Sequence, residues 1–215
     1  MNAKFFVLIA AMVMASHSLA GGQTQLTDPE AATDKLIWDK VYPNGGKTLI
    51  CGIPFEKKSI RLTADQVYDM GWMKDFLKCG SRLQCLKTPE FQRIASDLIN
   101  IFPEYKEIAR DHQPLQFGRA ENVQPKHPEL KCAYRSTFSV SEPPDNAKGD
   151  IARIIFYMHT EYGLPLRGDL MTLKEWNKSD PPDADEKTRD AAIGKAQGHA
   201  NPFVANPQLA DTVDK

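Results

Sequence analysis

The chain has 215 residues, of which 41% are hydrophobic and 26% are charged, and this composition suits one globular domain with its own core. Its formal net charge is −1, so no global charge steers the protein toward a polyanion. Nucleic-acid binding would therefore require a local basic patch.

The first twenty residues have the pattern of a secretory signal peptide. Lys4 supplies a positive start, residues 5–15 form a short apolar run, and Ser18-Leu19-Ala20 is a small-x-small cleavage site. The run is too short for a membrane span, and no later stretch approaches one. We therefore predict a soluble protein, periplasmic or secreted, whose mature chain begins near Gly21.

Four cysteines in the exported part favour two disulfides, because an oxidising compartment converts most such thiols to bridges. No Cys-x-x-Cys pair occurs, which argues against a zinc site. Three pairings are open. We favour Cys79–Cys85, which closes a small loop around Gly80, and Cys51–Cys132 by elimination.

In the first half of the chain, residues 21–34 are small and polar and predict a loose lead. The predicted elements are a short helix over 35–41, a buried strand over 48–53 and a second strand over 60–62. Thr88-Pro89-Glu90 is a good helix start, and apolar residues recur every three or four positions up to Ile101, so we predict a helix that ends at Pro103. Asp97 and Asn100 would share one face of it.

In the second half, residues 111–129 predict a long loop and residues 131–140 a strand. Helices are predicted over 150–162, 169–178 and 183–197, and the tail after Val204 is predicted to be disordered. Strands precede helices, so the fold class is α+β, with one domain over residues 35–204.

Several ordered segments of this sequence resemble the endonuclease I family, bacterial periplasmic or secreted nucleases with a ββα-metal (His-Me finger) site. The resemblance covers roughly Trp38 to Val204. The segments that carry it are Trp38-Asp39-Lys40-Val41-Tyr42-Pro43-Asn44-Gly45-Gly46, residues 65–85, Pro89-Glu90-Phe91, Asp97-Leu98-Ile99-Asn100, Lys148-Gly149-Asp150-Ile151-Ala152-Arg153, Phe156-Tyr157-Met158, Glu175-Trp176-Asn177 and Gln197-Gly198-His199-Ala200-Asn201-Pro202-Phe203.

The resemblance also assigns site positions. The family pattern is Glu-His, later Asp-Leu-His-Asn, with an arginine before the second cysteine of the small loop. It implies that Asp65 and Asn100 would hold Mg²⁺, that Gln66 stands where the family has its general base, and that Arg82 steadies phosphate charge. Ile99 replaces the other histidine.

These replacements predict a weakened site. A carboxamide has no useful basicity near neutral pH, so Gln66 cannot take a proton from water. Asp65 is one methylene shorter than the family glutamate, which octahedral Mg²⁺ tolerates poorly, so the cation would be bound weakly. The histidines outside the signal peptide are interpreted as surface or core residues rather than replacement bases; they are His112, His127, His159 and His199.

Three functions from different classes remain open. The first is a degenerate nuclease, monomeric, that keeps the fold and contact with DNA or RNA but hydrolyses phosphodiesters little or not at all. The second is a working Mg²⁺-dependent endonuclease with another base. The third is an exported interaction protein on the same scaffold. We rank the first ahead, because several site positions differ together while the surrounding framework matches.

Overall fold

The computed structural model describes residues 21–214, so the predicted signal peptide lies outside the described residues. The strands are β1 (Gly46–Lys47), β2 (Pro54–Phe55), β3 (Leu62–Gln66), β4 (Ile101–Tyr105), β5 (Gln116–Phe117), β6 (Arg135–Ser136) and β7 (Val140–Glu142). The α-helices are α1 (Pro29–Ala31), α2 (Met70–Leu77), α3 (Arg82–Cys85), α4 (Pro89–Ala95), α5 (Lys106–His112), α6 (Asp145–Tyr162), α7 (Leu170–Ser179), α8 (Ala184–Gln197) and α9 (Pro202–Ala205). A π-helix over Ala32–Val41 continues α1, and 3-10 turns occupy Pro128–Leu130 and Pro207–Thr212.

The strands form small sheets rather than one large one. β3 pairs antiparallel with β4, with Asp65 opposite Phe102 and Gln66 opposite Ile101. β1 pairs with β2, and β7 lies between β5 and β6. Helices and small sheets together confirm the α+β class, and the β3–β4 pair followed directly by α5 gives a ββα unit.

The helical half of the chain packs around α6, which is almost entirely buried between residues 147 and 158. Its Arg153 is fully buried and donates to Glu186 of α8 at 2.6 and 2.8 Å and to Asp150 at 2.8 Å. A buried charge is tolerated when its hydrogen bonds are satisfied, as here. This network ties α6 to α8 and fixes the second half of the core.

The predicted helix beyond Pro89 is too long. α4 ends at Ala95, residues 96–100 form a turn, and Ile101 already begins β4. The cause is local: the Asp97 carboxylate accepts the Ile99 N–H at 2.9 Å, a side-chain bond that competes with helix formation. Asp97 and Asn100 therefore lie on a turn and not on a helix face.

The strand predicted over 48–53 is also wrong. Thr48 and Ile50 are buried as expected, but the segment turns, with the Gly52 N–H bonded to the Thr48 carbonyl at 3.0 Å. Short strands flank it on both sides instead. Gly52, whose φ is +62°, supplies the left-handed conformation that this turn requires.

Both ends of the described chain are packed, contrary to the predicted loose lead and disordered tail. Gln23 is fully buried, and its side-chain amide donates to the carbonyls of Leu26 and Arg93 at 2.8 and 2.6 Å. At the other end, Ala210 and Val213 are buried in the core. Both segments are short and polar in composition, and their docking depends on tertiary contacts that local composition does not encode.

Candidate active site

Asp65 lies near the end of β3 with its carboxylate buried. Oδ2 lies 2.5 Å from Nε2 of His112, and the two side chains are 3% and 2% exposed. Oδ1 accepts the side-chain amide of Gln113 and also the Gln66 backbone N–H at 2.9 Å. Both oxygens therefore have donors from the protein itself.

Gln66 follows on the same strand and is also buried. Its side-chain Nε2 donates to the carbonyl of Ala95, the last residue of α4, at 3.0 Å. The amide thus ties β3 to the end of α4. A carboxamide in this position offers hydrogen bonds but no lone pair basic enough to deprotonate water.

Asn100 is fully buried, and both the oxygen and the nitrogen of its side-chain amide form hydrogen bonds with the backbone of Tyr68. Its Oδ1 accepts the Tyr68 N–H at 2.7 Å, and its Nδ2 donates to the Tyr68 carbonyl at 3.0 Å. The turn that carries it is anchored by Asp97, whose carboxylate accepts hydroxyls of Tyr157 and Tyr162 at 2.6 and 2.5 Å. Ile99 of the same turn is fully buried among apolar residues.

Arg82 begins α3 inside the small disulfide loop. The structure forms both favoured bridges, Cys79–Cys85 and Cys51–Cys132. Ser81 caps α3 by accepting the Gln84 N–H, and the Gln84 side chain accepts the Ser81 N–H in return. Arg82 is exposed, and no carboxylate within residues 21–214 forms an ion pair with it. It is free to meet an anion.

A cavity of about 250 Å³ is lined by Asp65, Gln66 and Arg82, together with Arg110 and Gln113. A neighbouring cavity of about 630 Å³ shares Arg82 with it. The second cavity is also lined by three acidic residues; they are Asp28, Glu30 and Asp34. Arg82 therefore stands between the small cavity and an acidic wall.

The residues present do not fit Mg²⁺. Mg²⁺ needs oxygen ligands at about 2.0–2.1 Å in octahedral order. Both oxygens of Asp65 already accept hydrogen bonds, and the Asn100 side-chain oxygen accepts the backbone N–H of Tyr68. Within the described part of the chain, no group of three or more His, Cys, Asp or Glu side chains is arranged to hold a metal ion. Asn100 does not line the cavity that Asp65 does.

A buried histidine, His112, lies beside the carboxylate of Asp65. Burial acts to lower the pKa of His112, but the carboxylates of Asp65 and Glu104 outweigh it, and the net effect raises that pKa. Burial raises the pKa of Glu104 to about 7, against backbone hydrogen bonds from Tyr105 and Ile50. These groups form one buried polar cluster at the β3–β4 pair.

His112 and Gln113 contact Asp65 at the candidate site, but the sequence does not predict either of them as a site residue. His112 is interpreted from the sequence as a surface or core residue, and the structure buries it; its contact with Asp65 spans 47 positions of the chain. His112 and Gln113 lie at the start of a polar segment that contains no recognisable motif. Only the packing of α5 against β3 and β4 brings them to the site.

Comparison with known proteins gives the family. The model of the endonuclease I family matches residues 80–208, which is more than half of the chain. The chain belongs to the endonuclease I family. The matched part contains Arg82 and Asn100, whereas Asp65 and Gln66 precede it.

The relatives of this chain include proteins named as deoxyribonuclease, endonuclease and ribonuclease. An extracellular deoxyribonuclease of Aeromonas hydrophila is 34% identical over 129 residues, which cover 58% of this chain and 55% of the relative. Endonuclease-1 of Buchnera aphidicola subsp. Acyrthosiphon pisum is 28% identical over 179 residues, covering 79% and 70%. An extracellular ribonuclease of Bacillus subtilis is 36% identical over 91 residues, covering 34% and 32%. This chain thus spans little more than half the length of the Aeromonas protein.

Proposed function

We propose that this protein is an exported member of the endonuclease I family that contacts nucleic acid as a monomer but hydrolyses phosphodiester bonds weakly or not at all. The observation that carries the proposal is Gln66. Its buried amide donates to the Ala95 carbonyl, and it stands where the resemblance places the general base. Loss of a positioned base costs on the order of 10²–10⁴-fold in rate.

The cation position supports the same conclusion. Asp65 and Asn100, the ligand positions that the resemblance gives, are both engaged by the protein's own donors. A weakly held Mg²⁺ at most would remain, so the electrostatic help that a cation gives to a phosphoryl group would be lost too.

A working endonuclease with a different base is less well supported. The histidine closest to the site is His112, and its Nε2 is paired with Asp65 in the buried interior. A general base must lie within hydrogen-bond reach of the water that it activates. His112 does not line the cavity that contains Arg82.

The sequence and the names of the relatives support the proposals of export and of nucleic-acid contact. Residues 1–20 have the signal-peptide pattern, and relatives are named extracellular or periplasmic deoxyribonucleases. Within residues 21–214 no helix is long and apolar enough to cross a bilayer. Relatives named deoxyribonuclease and ribonuclease leave both nucleic acids as candidates. Arg82 is the residue that we expect to meet phosphate.

An interaction protein that no longer binds nucleic acid is the second candidate, and one observation favours it. The larger cavity beside Arg82 carries Asp28, Glu30 and Asp34. Carboxylates beside a path for a phosphate chain repel it at low ionic strength. A partner with exposed lysine or arginine side chains would suit this wall better.

A plasmid-nicking assay with Mg²⁺, paired with a DNA-binding titration at low and moderate salt, tests the proposal. We expect background nicking, together with binding that weakens as salt rises. Arg82→Ala should weaken binding at least threefold. Lys178→Ala, which removes an exposed charge of α7 outside both cavities, is the matched control and should leave binding unchanged.

The other outcomes select the alternatives. EDTA-sensitive nicking by the unmodified protein would establish the working enzyme. No nicking and no binding of either DNA or RNA, with a folded protein, would support the interaction protein.

A further inference from the structure

The end of α5 is packed onto Asp65 by aromatic residues. His112, the last residue of this helix, has its ring 5.7 Å from that of Phe117 in a stacked arrangement and 6.2 Å from that of Phe102. The helix contacts both β3 and β4. The imidazole is thus held from two sides, and its Nε2 is directed at the Asp65 carboxylate.

Two side-chain nitrogen donors reach Asp65 from the end of α5. Nε2 of His112 lies 2.5 Å from Oδ2, and the adjacent Gln113 donates its amide to Oδ1. Because a carboxylate only accepts, these nitrogens lie along lone-pair directions that a bound cation would use. A hard divalent cation and these donors compete for the same oxygens.

The two donors differ in their position relative to solvent. Gln113 is half-buried and lines the 250 Å³ cavity together with Asp65. His112 is buried and lies on the inner side. A cation that entered from the cavity would therefore meet Gln113 first and His112 second.

We propose that His112 and Gln113 are a built-in substitute for a divalent cation at Asp65. The end of α5 supplies the donors that hold this carboxylate in place, and it excludes the ion by occupying the ion's directions of approach. This inference rests on the proposed function in one respect, that Asp65 lies at the family's cation position. It adds that the cation site is filled by the fold and can be reopened by changing α5 alone.

Mn²⁺ binding provides a test that does not depend on activity. Mn²⁺ prefers the same oxygen ligands as Mg²⁺ and can be counted as free ion by its electron paramagnetic resonance signal. The mature protein would be titrated to millimolar Mn²⁺ as wild type, as Gln113→Ala and as Gln113→Ala/His112→Ala. Each would be compared with the same protein carrying Asp65→Asn, which separates this site from acidic surface residues.

We expect no Asp65-dependent binding in the wild type and a new Asp65-dependent site in Gln113→Ala. The double variant should bind Mn²⁺ at least tenfold more tightly than Gln113→Ala, since Oδ2 is then free and Oδ1 keeps only the backbone N–H of Gln66. Gln92→Ala is the matched control: this glutamine lines the adjacent cavity and donates to the Leu86 carbonyl, and its removal should create no site.

Two results would overturn the inference. One is Asp65-dependent Mn²⁺ binding by the wild type. The other is a folded Gln113→Ala protein that binds no more Mn²⁺ than wild type. If the double variant does not fold, Gln113→Ala alone decides, because it removes the solvent-side donor and leaves His112 on Oδ2.

The metal test and the nicking assay fail independently. Wild-type protein that nicks DNA while binding no Mn²⁺ at Asp65 would contradict the proposed function and leave the substitute intact. Wild-type protein that binds Mn²⁺ at Asp65 but does not nick DNA would contradict the cation substitute and leave the proposed function intact.

Discussion

Asn100, which the resemblance places at a cation-ligand position, has a structural role in this protein. Both ends of its amide bond the Tyr68 backbone in the fully buried interior. This bond pair connects the turn before β4 to the residues that follow β3. Tyr68 thus uses the amide nitrogen and one lone pair of the amide oxygen, and the hydrogen bond from its N–H fixes the orientation of that oxygen.

Asn100→Asp separates the structural role from a ligand role. A carboxylate would be the better cation ligand, but it has no N–H for the Tyr68 carbonyl and would bury a charge. We expect the free energy of unfolding to fall by about 2–4 kcal/mol, measured by chemical denaturation. Asn122→Asp at an exposed position is the control, expected within about 0.5 kcal/mol of wild type. Stabilisation of Asn100→Asp by added Mg²⁺ would contradict this reading.

Glu104 makes the buried cluster sensitive to pH. Burial raises the pKa of its carboxyl from 4.5 to about 7, so the folded state binds a proton that the unfolded state has released. Stability from this group is therefore present below pH 4.5 and is lost as pH rises toward 7. The raised pKa of His112 acts in the same direction, with stability lost as pH rises above the unfolded value of 6.5.

We expect the free energy of unfolding to decline between pH 4.5 and 7, by up to roughly 3 kcal/mol from Glu104. Glu104→Gln removes the titration and should flatten this window, whatever its effect on absolute stability. The measurement is urea denaturation at several pH values. An equal slope in wild type and variant would show that other groups carry the dependence.

At the scale of elements, predictions from the sequence succeed where the pattern is local. α6, α7 and α8 lie within a few residues of their predicted bounds, apart from an earlier start of α6, because apolar spacing and caps such as Asp169 and Asp183 are written in consecutive residues. The helix expected through residue 102 fails because Leu98 and Ile101 keep a helical spacing while serving a turn and a strand.

The site was predictable only in part, for the same reason. The resemblance gives Asp65, Gln66, Arg82 and Asn100 as site positions, and the structure places Asp65 and Gln66 on β3. The resemblance could not indicate what those residues contact. His112 and Gln113 reach Asp65 through tertiary packing, and no sequence spacing encodes that approach.

The two disulfides close loops of very different length. Cys79–Cys85 closes a loop with a separation of 6 residues, and Cys51–Cys132 closes one of 81. Loop entropy predicts that replacing the first pair with serines costs roughly 2 kcal/mol and the second roughly 4–5 kcal/mol. Denaturant unfolding of the two double variants checks the order. A larger loss from the short loop would mean that native contacts around Arg82 dominate over loop entropy.

In the whole molecule, the chain belongs to the endonuclease I family, whereas its candidate site departs from the residue pattern that the resemblance implies. The core around α6 and the buried Arg153 network holds the family fold together across both halves. At the candidate site on that framework, donors from the protein bond the Asp65 carboxylate, and a carboxamide stands where the resemblance expects a base. A near-neutral net charge gives no help in attracting nucleic acid, so the proposed contact would depend on local charges such as Arg82.

The most direct test is the Mg²⁺-dependent plasmid-nicking rate of the wild type against Asp65→Glu/Gln66→His. Imidazole restores a base near neutral pH, and the longer carboxylate restores reach toward a cation. We predict background nicking by wild type and nicking above it in the double variant, with a further increase when Gln113→Ala is added and a loss when Arg82→Ala is added. Wild-type nicking equal to that of the double variant, and abolished by EDTA, would contradict the account.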